Sequence, residues 1–343
     1  MKKDTKQATI IFINMAKGFG GGEFYTEQLI THLDGYQCYF FGKKSGKLAV
    51  HLKRVMPSVT ILTFFQLLKL IVFNRSAIVH ALDGRGAHIA GFIKRFFKNP
   101  VIITRQVNFP FKRKSSTVAY KTADIIIGVS RTITTSLQTL NTNTYTIYGC
   151  LKQLQENIDF EQTYFSSSKN TLRIAQIGNF QAVKNFSLTI ELARKNPELS
   201  FYLVGSGELE KELRQQASLL LNVHFIPFTP YIGSVLKHID VLIVPSHSEG
   251  LGMTILEAYQ YQKAVIAHNT GGIPEIIEHN KTGFLINENV AENYQFYLEQ
   301  LKNNPDLLNK FSENIQQFLK ENNFSAVRMA NEYSAKYEQL LKK

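Results

Sequence analysis

Acidic residues are nearly missing from one long stretch of this chain. Between Gly35 and Ala123 the single carboxylate is Asp83, set against 16 lysines and arginines. Cysteine is scarce too. Cys38 and Cys150 are the only two, which excludes a disulfide framework and predicts a reducing, cytoplasmic setting. Long hydrophobic runs are also lacking. The most apolar stretch, residues 61–73, contains Gln66 and Lys69 and is too short to span a bilayer, so no transmembrane helix is expected. The opening MKKDTKQATIIFINM has basic residues but only a brief apolar run. It reads as the approach to a first strand rather than as a signal peptide. No internal repeat or low-complexity tract stands out.

What is present is enough for two domains of ordinary size. The chain has 343 residues, 44% of them hydrophobic and 12% aromatic, which can fill two cores. Charge is divided unevenly between its halves. Residues 1–150 hold 21 lysines and arginines against six acids, and the remainder 18 against 21. A first half of +15 therefore precedes a second half of −3. A basic half admits nucleic acid, an anionic membrane surface or an anionic substrate as its partner. Residues 92–98 and 109–114 interleave phenylalanines with lysines and arginines, which suits a membrane surface or single-stranded nucleic acid.

Short apolar runs at residues 8–14, 37–41, 59–63, 77–81, 101–104, 124–129 and 144–148 read as strands with helical segments between them. From 149 the periodicity fades, and 151–170, including Ser166 to Ser168, reads as a linker. Strand–helix alternation resumes at 172–177 and continues through 201–204, 223–227, 241–244 and 264–267. This predicts an α/β chain with two doubly wound parallel sheets, ligands binding at the strands' carboxyl ends. His80, Asp83, Arg85, Thr104, Arg105, Gln106, Ser130 and Arg131 follow or end first-half strands and are expected in a cleft.

The chain is organised around residues 241–277, VLIVPSHSEGLGMTILEAYQYQKAVIAHNTGGIPEII. An apolar run of strand length stops at Pro245, a polar loop follows, and Met253 opens a helical pattern. A glycine-bearing turn between strand and helix offers free backbone N–H groups at the positive end of a helix, a setting for phosphate. Glu249 in the loop and Glu257 in the helix are bracketing carboxylates able to accept hydroxyl hydrogens. Earlier, residues 15–23 form a glycine-rich loop between a strand and a helix. Its glycines are not spaced G-x-G-x-x-G, and the second strand ends in Gly42-Lys43-Lys44 instead of an acid, which argues against a dinucleotide fold.

Strand, E-G-x-G, helix, strand and GG-x-P-E in this order resemble the E-x7-E signature of the retaining glycosyltransferases of family four, known as glycosyl transferases group 1. The resemblance extends to Gly20-Gly21-x-Glu23, to the turn from Gly178 to Lys184, to Gly205-x-Gly207, and to Lys281-Thr282-Gly283. It implies the GT-B architecture, two Rossmann-like domains facing a cleft: residues 1–150, joined by a C-terminal helix at 324–343, and residues 171–323. A nucleotide-sugar donor would bind the second domain and an acceptor the first. Glu249 would orient the sugar and Glu257 the ribose. Lys184 and the N–H groups around Gly250, Leu251, Gly252, Met253 and Thr254 would neutralise the diphosphate, with no metal, since no Asp-x-Asp triplet occurs. Gly20, Gly21, Gly22, Asn179, Gly205 and Phe228 complete the expected donor side, and Asp83, Arg85 and Arg105 the acceptor side. Arg105 stands where the family often has histidine, and Asn179 where it has arginine.

The resemblance thus predicts a retaining glycosyltransferase acting on a bacterial envelope glycan (lipopolysaccharide core, capsule or lipid-linked glycan), cytoplasmic and peripheral on an anionic membrane surface, with no nucleic acid partner. Another GT-B enzyme such as a nucleotide-sugar epimerase, a non-catalytic GT-B subunit, or a basic nucleic-acid-binding protein stays open at this point.

Overall fold

The computed structural model describes residues 7–111, 114–166 and 171–342. Lys112 and Arg113 of the aromatic–basic segment, residues 167–170 of the expected linker, and Lys343 lie outside them. The chain divides into two compact units, residues 1–150 with 324–343, and residues 151–323.

The first unit is built on seven strands: β1 (Ala8–Ile13), β2 (Tyr36–Phe41), β3 (Thr60–Ile61), β4 (Ile78–Ala81), β5 (Val101–Arg105), β6 (Ile125–Gly128) and β7 (Thr144–Thr146). All pair in parallel, in the order β3-β2-β1-β4-β5-β6-β7. The central strands are apolar on both faces because helices cover both. Ile10 to Ile13 and Ile125 to Ile127 are fully buried. At the edge, β3 pairs over two residues only, shorter than the expected 59–63. Val59 and Leu62 on either side of it are buried all the same.

The second unit has six strands: β8 (Arg173–Ile177), β9 (Ser200–Val204), β10 (Val223–Ile226), β11 (Val241–Val244), β12 (Ala264–His268) and β13 (Gly283–Ile286). They too are parallel, ordered β10-β9-β8-β11-β12-β13. Each sheet therefore reverses its direction of winding once, between β1 and β4 in the first and between β8 and β11 in the second. Crevices at such reversals, outside the carboxyl ends of the strands, are where doubly wound sheets hold ligands.

Two regions differ from the sequence reading. The stretch 151–170 is not a bare connector. Asn157 caps a helix, Ile158–Phe165, through a 2.8 Å bond from the Phe160 N–H to its Oδ1. Glu161 on that helix accepts from Ser234 (3.0 Å), Lys237 and His238 (2.9 Å) of a neighbouring helix. The Phe165 ring stacks on His238 at 4.9 Å. Phe165 alone of its eight side chains is buried, and Ile158 is exposed, so no buried apolar stripe announced it.

The second difference is His80. Expected at a cleft with Thr104 and Ser130, all three side chains are instead buried. Ser130 caps the helix Arg131–Gln138. His80 Nδ1 meets the Tyr337 hydroxyl at 2.7 Å and its Nε2 meets Thr104 Oγ1 at 2.8 Å. Thr104 continues to Tyr333 (2.7 Å), and Tyr333 to Tyr25 (2.8 Å), which donates to the Ile147 carbonyl (3.3 Å). Because the chain ends on an acceptor, one direction of donation satisfies every member: Tyr337 to His80, to Thr104, to Tyr333, to Tyr25, to Ile147. The neutral imidazole fits that direction, and burial pushes the His80 pKa down from 6.5 to about 3. Tyr333 and Tyr337 both stand on the helix Ala326–Leu341, so this network fixes that helix to the first sheet.

Candidate functional site

The candidate site of the second unit forms where its winding reverses. Two loops meet there: the one after β8, carrying Lys184, and the one after β11, carrying Glu249. Residues 182–184 make a single 3-10 turn that ends at Asn185, whose φ of 54° places it in the left-handed region. Asparagine tolerates that conformation. The turn is held from two directions. Gln176 donates to the Lys184 carbonyl at 2.7 Å, and the His247 N–H donates to the Val183 carbonyl at 2.8 Å. The two loops are thereby tied backbone to backbone.

Their side chains then converge. Lys184 Nζ donates to Glu249 Oε1 at 2.6 Å, and Ser246 Oγ donates to the same oxygen at 2.7 Å. The Glu249 side chain is 12% exposed and that of Lys184 27%, so this charge-assisted contact sits in a partly desolvated setting. Both bonds fall on Oε1. Among the described residues Oε2 takes no hydrogen bond, which leaves one carboxylate oxygen for hydroxyls of a ligand. Sequence reasoning missed Ser246 as a partner, and its only signal was its place in the polar loop.

The turn after β12 closes on the same loop from behind. Gly271 has φ +57°, and a Cβ built on it would lie 1.9 Å from the Glu249 carbonyl oxygen. His268 Nδ1 meets the Ser246 carbonyl at 2.8 Å, and Thr270 donates to the His247 carbonyl at 3.1 Å. Gly271→Ala is accordingly expected to lower the melting stability of this unit by roughly 1–3 kcal/mol. Gly35 gives the contrast: its φ is +82° but nothing lies within 4 Å of its built Cβ. Gly35→Ala should cost only about 1 kcal/mol, for the left-handed backbone alone. Equal losses in denaturation of the two variants would refute the close approach.

Beyond the loop, Gly252 caps the helix Met253–Gln260 with φ +92°. Leu251 and Gly252 are buried, and Met253 and Thr254 are half-buried in the first turn. Glu257 lies one turn further, nearly buried, and its Oε1 is 2.9 Å from Lys152 Nζ. Lys152 was not anticipated, because it lies in the stretch read as linker. The helix is anchored at its far end, where the buried Tyr259 hydroxyl, its pKa pushed well up by burial, donates to Thr282 Oγ1 at 2.8 Å.

On the other side, Gly205 lets the loop after β9 approach the one after β8, its built Cβ lying 1.9 Å from the Gly178 carbonyl. Asn179 is exposed beside it. Phe228, just past β10, leaves its ring 67% exposed. Thus Asn179, Lys184, Gly205, Phe228, Glu249 and Glu257 all follow the carboxyl ends of one sheet.

The remaining expected residues belong to the first unit. Gly20 precedes the helix Gly21–Thr31, and its N–H is held by Glu23 at 2.8 Å. Gly21 and Gly22 form the first turn, and Gln106 donates to the Leu82 carbonyl at 2.9 Å. Asp83 caps the helix Gly84–Phe96, accepting from Gly86 N at 2.8 Å and from Met15 N at 3.0 Å. It is thus a structural cap across the β1–β4 reversal. Arg85 is exposed. Arg105 is engaged by its own chain: its guanidinium lies over the rings of Phe111 (4.3 Å) and Tyr120 (5.5 Å) and donates to the Phe109 carbonyl. An arginine so committed clamps the loop after β5.

Comparison with known proteins bears on the family and the fold. Residues 158–318 match the family model of glycosyl transferases group 1. An uncharacterized glycosyltransferase of Haemophilus influenzae is 31% identical over 148 residues, which are 41% of this chain and 42% of that protein. The O-antigen biosynthesis glycosyltransferase WbnH of Escherichia coli is 29% identical over 129 residues, 38% of this chain and 37% of that one. These matches span less than half the length of those relatives. Among solved structures, Anabaena HepE in complex with UDP-glucose superposes with a TM-score of 0.83 at 18% identity, covering 96% of this chain and 99% of that one. Residues 158–318 are thus a glycosyl transferases group 1 domain, in a chain that has the GT-B fold of two Rossmann-like sheets.

Proposed function

We propose that this protein moves a sugar from a nucleotide-sugar donor, with retention at the anomeric carbon, to a hydroxyl of an anionic bacterial envelope glycan. Lipopolysaccharide core, capsule and lipid-linked glycans are the acceptor class, met at the cytoplasmic face of a membrane. The observation that carries this reading is the Glu249 carboxylate, held on one oxygen by Lys184 and Ser246, with no hydrogen bond to the other oxygen among the described residues. A rigidly held carboxylate of this kind orients sugar hydroxyls without spending rotamer freedom at the moment of reaction. The O-antigen relative and the UDP-glucose complex of the structural neighbour point the same way.

In this reading Lys184 and the N–H groups of Gly252, Met253 and Thr254 stabilise charge on the departing diphosphate. Glu257, set in place by Lys152, accepts from the ribose hydroxyls. Phe228 offers its exposed face to the base. The acceptor oxygen bonds the anomeric carbon as the carbon–phosphate oxygen bond breaks, and the departing diphosphate takes the acceptor's proton. No protein nucleophile is required. The first unit, with its excess of lysine and arginine, supplies the attraction for an anionic acceptor and membrane.

Thermal melting against nucleoside diphosphates and nucleotide sugars tests the donor site. A ligand that binds only the native state raises the midpoint. One nucleotide series is expected to stabilise the protein, and Glu257→Ala to lose that stabilisation. Absence of a shift from every nucleotide would overturn the proposal.

A further inference from the structure

We infer that the helix Phe64–Phe73 is the element that enters an anionic lipid surface. This deepens the reading above, on which it rests, by naming the part of the chain that meets the membrane. The helix, FFQLLKLIVF, is apolar almost all round. A helix of that composition belongs in an apolar surrounding on every side. Its own chain supplies only half of one. Leu67 and Ile71 are buried against the first unit's core, while Phe64, Phe65, Leu68, Val72 and Phe73 point outward. Phe65 and Phe73 are each 81% exposed. Five large apolar side chains on one short helix make a contiguous patch, not the scatter of single residues usual on a surface.

A second helix on the same face carries further exposed aromatics. The sheet order fixes its position. The passages from β3 to β4 and from β4 to β5 both run the same way across the sheet, so right-handed crossovers place both intervening helices on one face. That second helix, Gly84–Phe96, presents Phe92 and Phe96, both 61% exposed, with ring centroids 4.6 Å apart. Arg95 lies over the Phe96 ring at 5.9 Å.

Charge decides what covers this face. Neither helix contains an acid, and Lys69, Arg75, Arg95 and Lys98 are exposed on or beside them. The cation nearest the core, Lys94, is already paired with Asp124 at 2.6 Å. A second copy of the chain would bring like charge against like charge. Anionic headgroups over an acyl interior match both the aromatics and the cations, with rings in the interface and the lysine and arginine heads among phosphates.

Vesicle flotation with the full chain tests the assignment. Wild type is expected to bind vesicles of phosphatidylcholine mixed with phosphatidylglycerol, weakly bind pure phosphatidylcholine, and be released by salt. Phe65→Asp together with Phe73→Asp should weaken binding by at least roughly tenfold. Both side chains are solvent-facing, so the melting midpoint should hold. The nucleotide-induced midpoint shift, read on the same preparations, should survive in the double variant, which separates this inference from the donor-site reading. Wild type that ignores anionic vesicles, or a double variant that binds as wild type does, would overturn the assignment. So would a concentration-dependent dimer that the double variant abolishes, because a second copy would then be what covers the face.

Discussion

Replacing Glu249 with alanine is expected to reduce transfer from the nucleotide sugar by roughly 100-fold to 1,000-fold, with the melting midpoint little changed. The reasons lie in how the side chain is held. Its Oε1 takes two bonds, from Lys184 at 2.6 Å and Ser246 at 2.7 Å. Removing the carboxylate frees Lys184 from the one carboxylate it meets among the described residues and leaves the sugar without its fixed acceptor. Interactions made with the reacting sugar fall on turnover more than on nucleotide affinity, since Glu257 and the helix start are untouched. The expected signature is therefore a low kcat with a nucleotide-induced midpoint shift near that of wild type. Glu249→Gln is the sharper probe. It keeps the shape but trades one accepting oxygen for a donor, which disturbs the contact with Lys184. Full turnover in either variant would remove Glu249 from the chemistry.

The second large effect is on stability against acid. Folded His80 takes a proton only near pH 3, whereas an exposed histidine does so near 6.5. Between those values the unfolded chain binds a proton that the folded chain refuses. Unfolding is therefore favoured as pH falls through this window, and the stability lost is about 2 kcal/mol at pH 5. Protonation would also make His80 a donor on both nitrogens. Tyr337 would then have to accept, and its own hydrogen would lose its buried partner. His80→Gln removes the titration. Denaturant melts at pH 7 and pH 5 should show wild type losing about 2 kcal/mol more than the variant across that interval. Equal losses would mean that His80 is charged when folded.

The fold class was legible because parallel sheets buried on both faces are written as short, nearly continuous apolar runs. IIFI in β1 and VLIV in β11 are such runs, each ended by a polar or glycine-bearing turn. Lys184 and Glu249 were paired by the family resemblance alone, and the 2.6 Å contact between them comes from two loops that follow neighbouring strands of one doubly wound sheet. What escaped was contact chemistry between distant residues of unlike appearance. Nothing local says that Lys152 meets Glu257, or that Arg105 will lie on Phe111 and Tyr120. His80 looked like a polar group at a strand end. Its burial depends on two tyrosines on the helix Ala326–Leu341, which only the folded chain brings to it. The helix Ile158–Phe165 was hidden because hydrogen bonds to Glu161, more than an apolar stripe, hold it in place.

The helix Ala326–Leu341 follows all of the second unit in sequence yet completes the core of the first. On the ribosome, residues 1–150 emerge first but must wait without that helix, with Tyr25, His80 and Thr104 lacking their hydroxyl partners. The second unit, continuous from 151 to 323, can finish ahead of them. The order of synthesis and the order of completion are thus reversed. A released chain truncated after residue 323 should hold a protease-resistant second unit beside a first unit that is still readily cut.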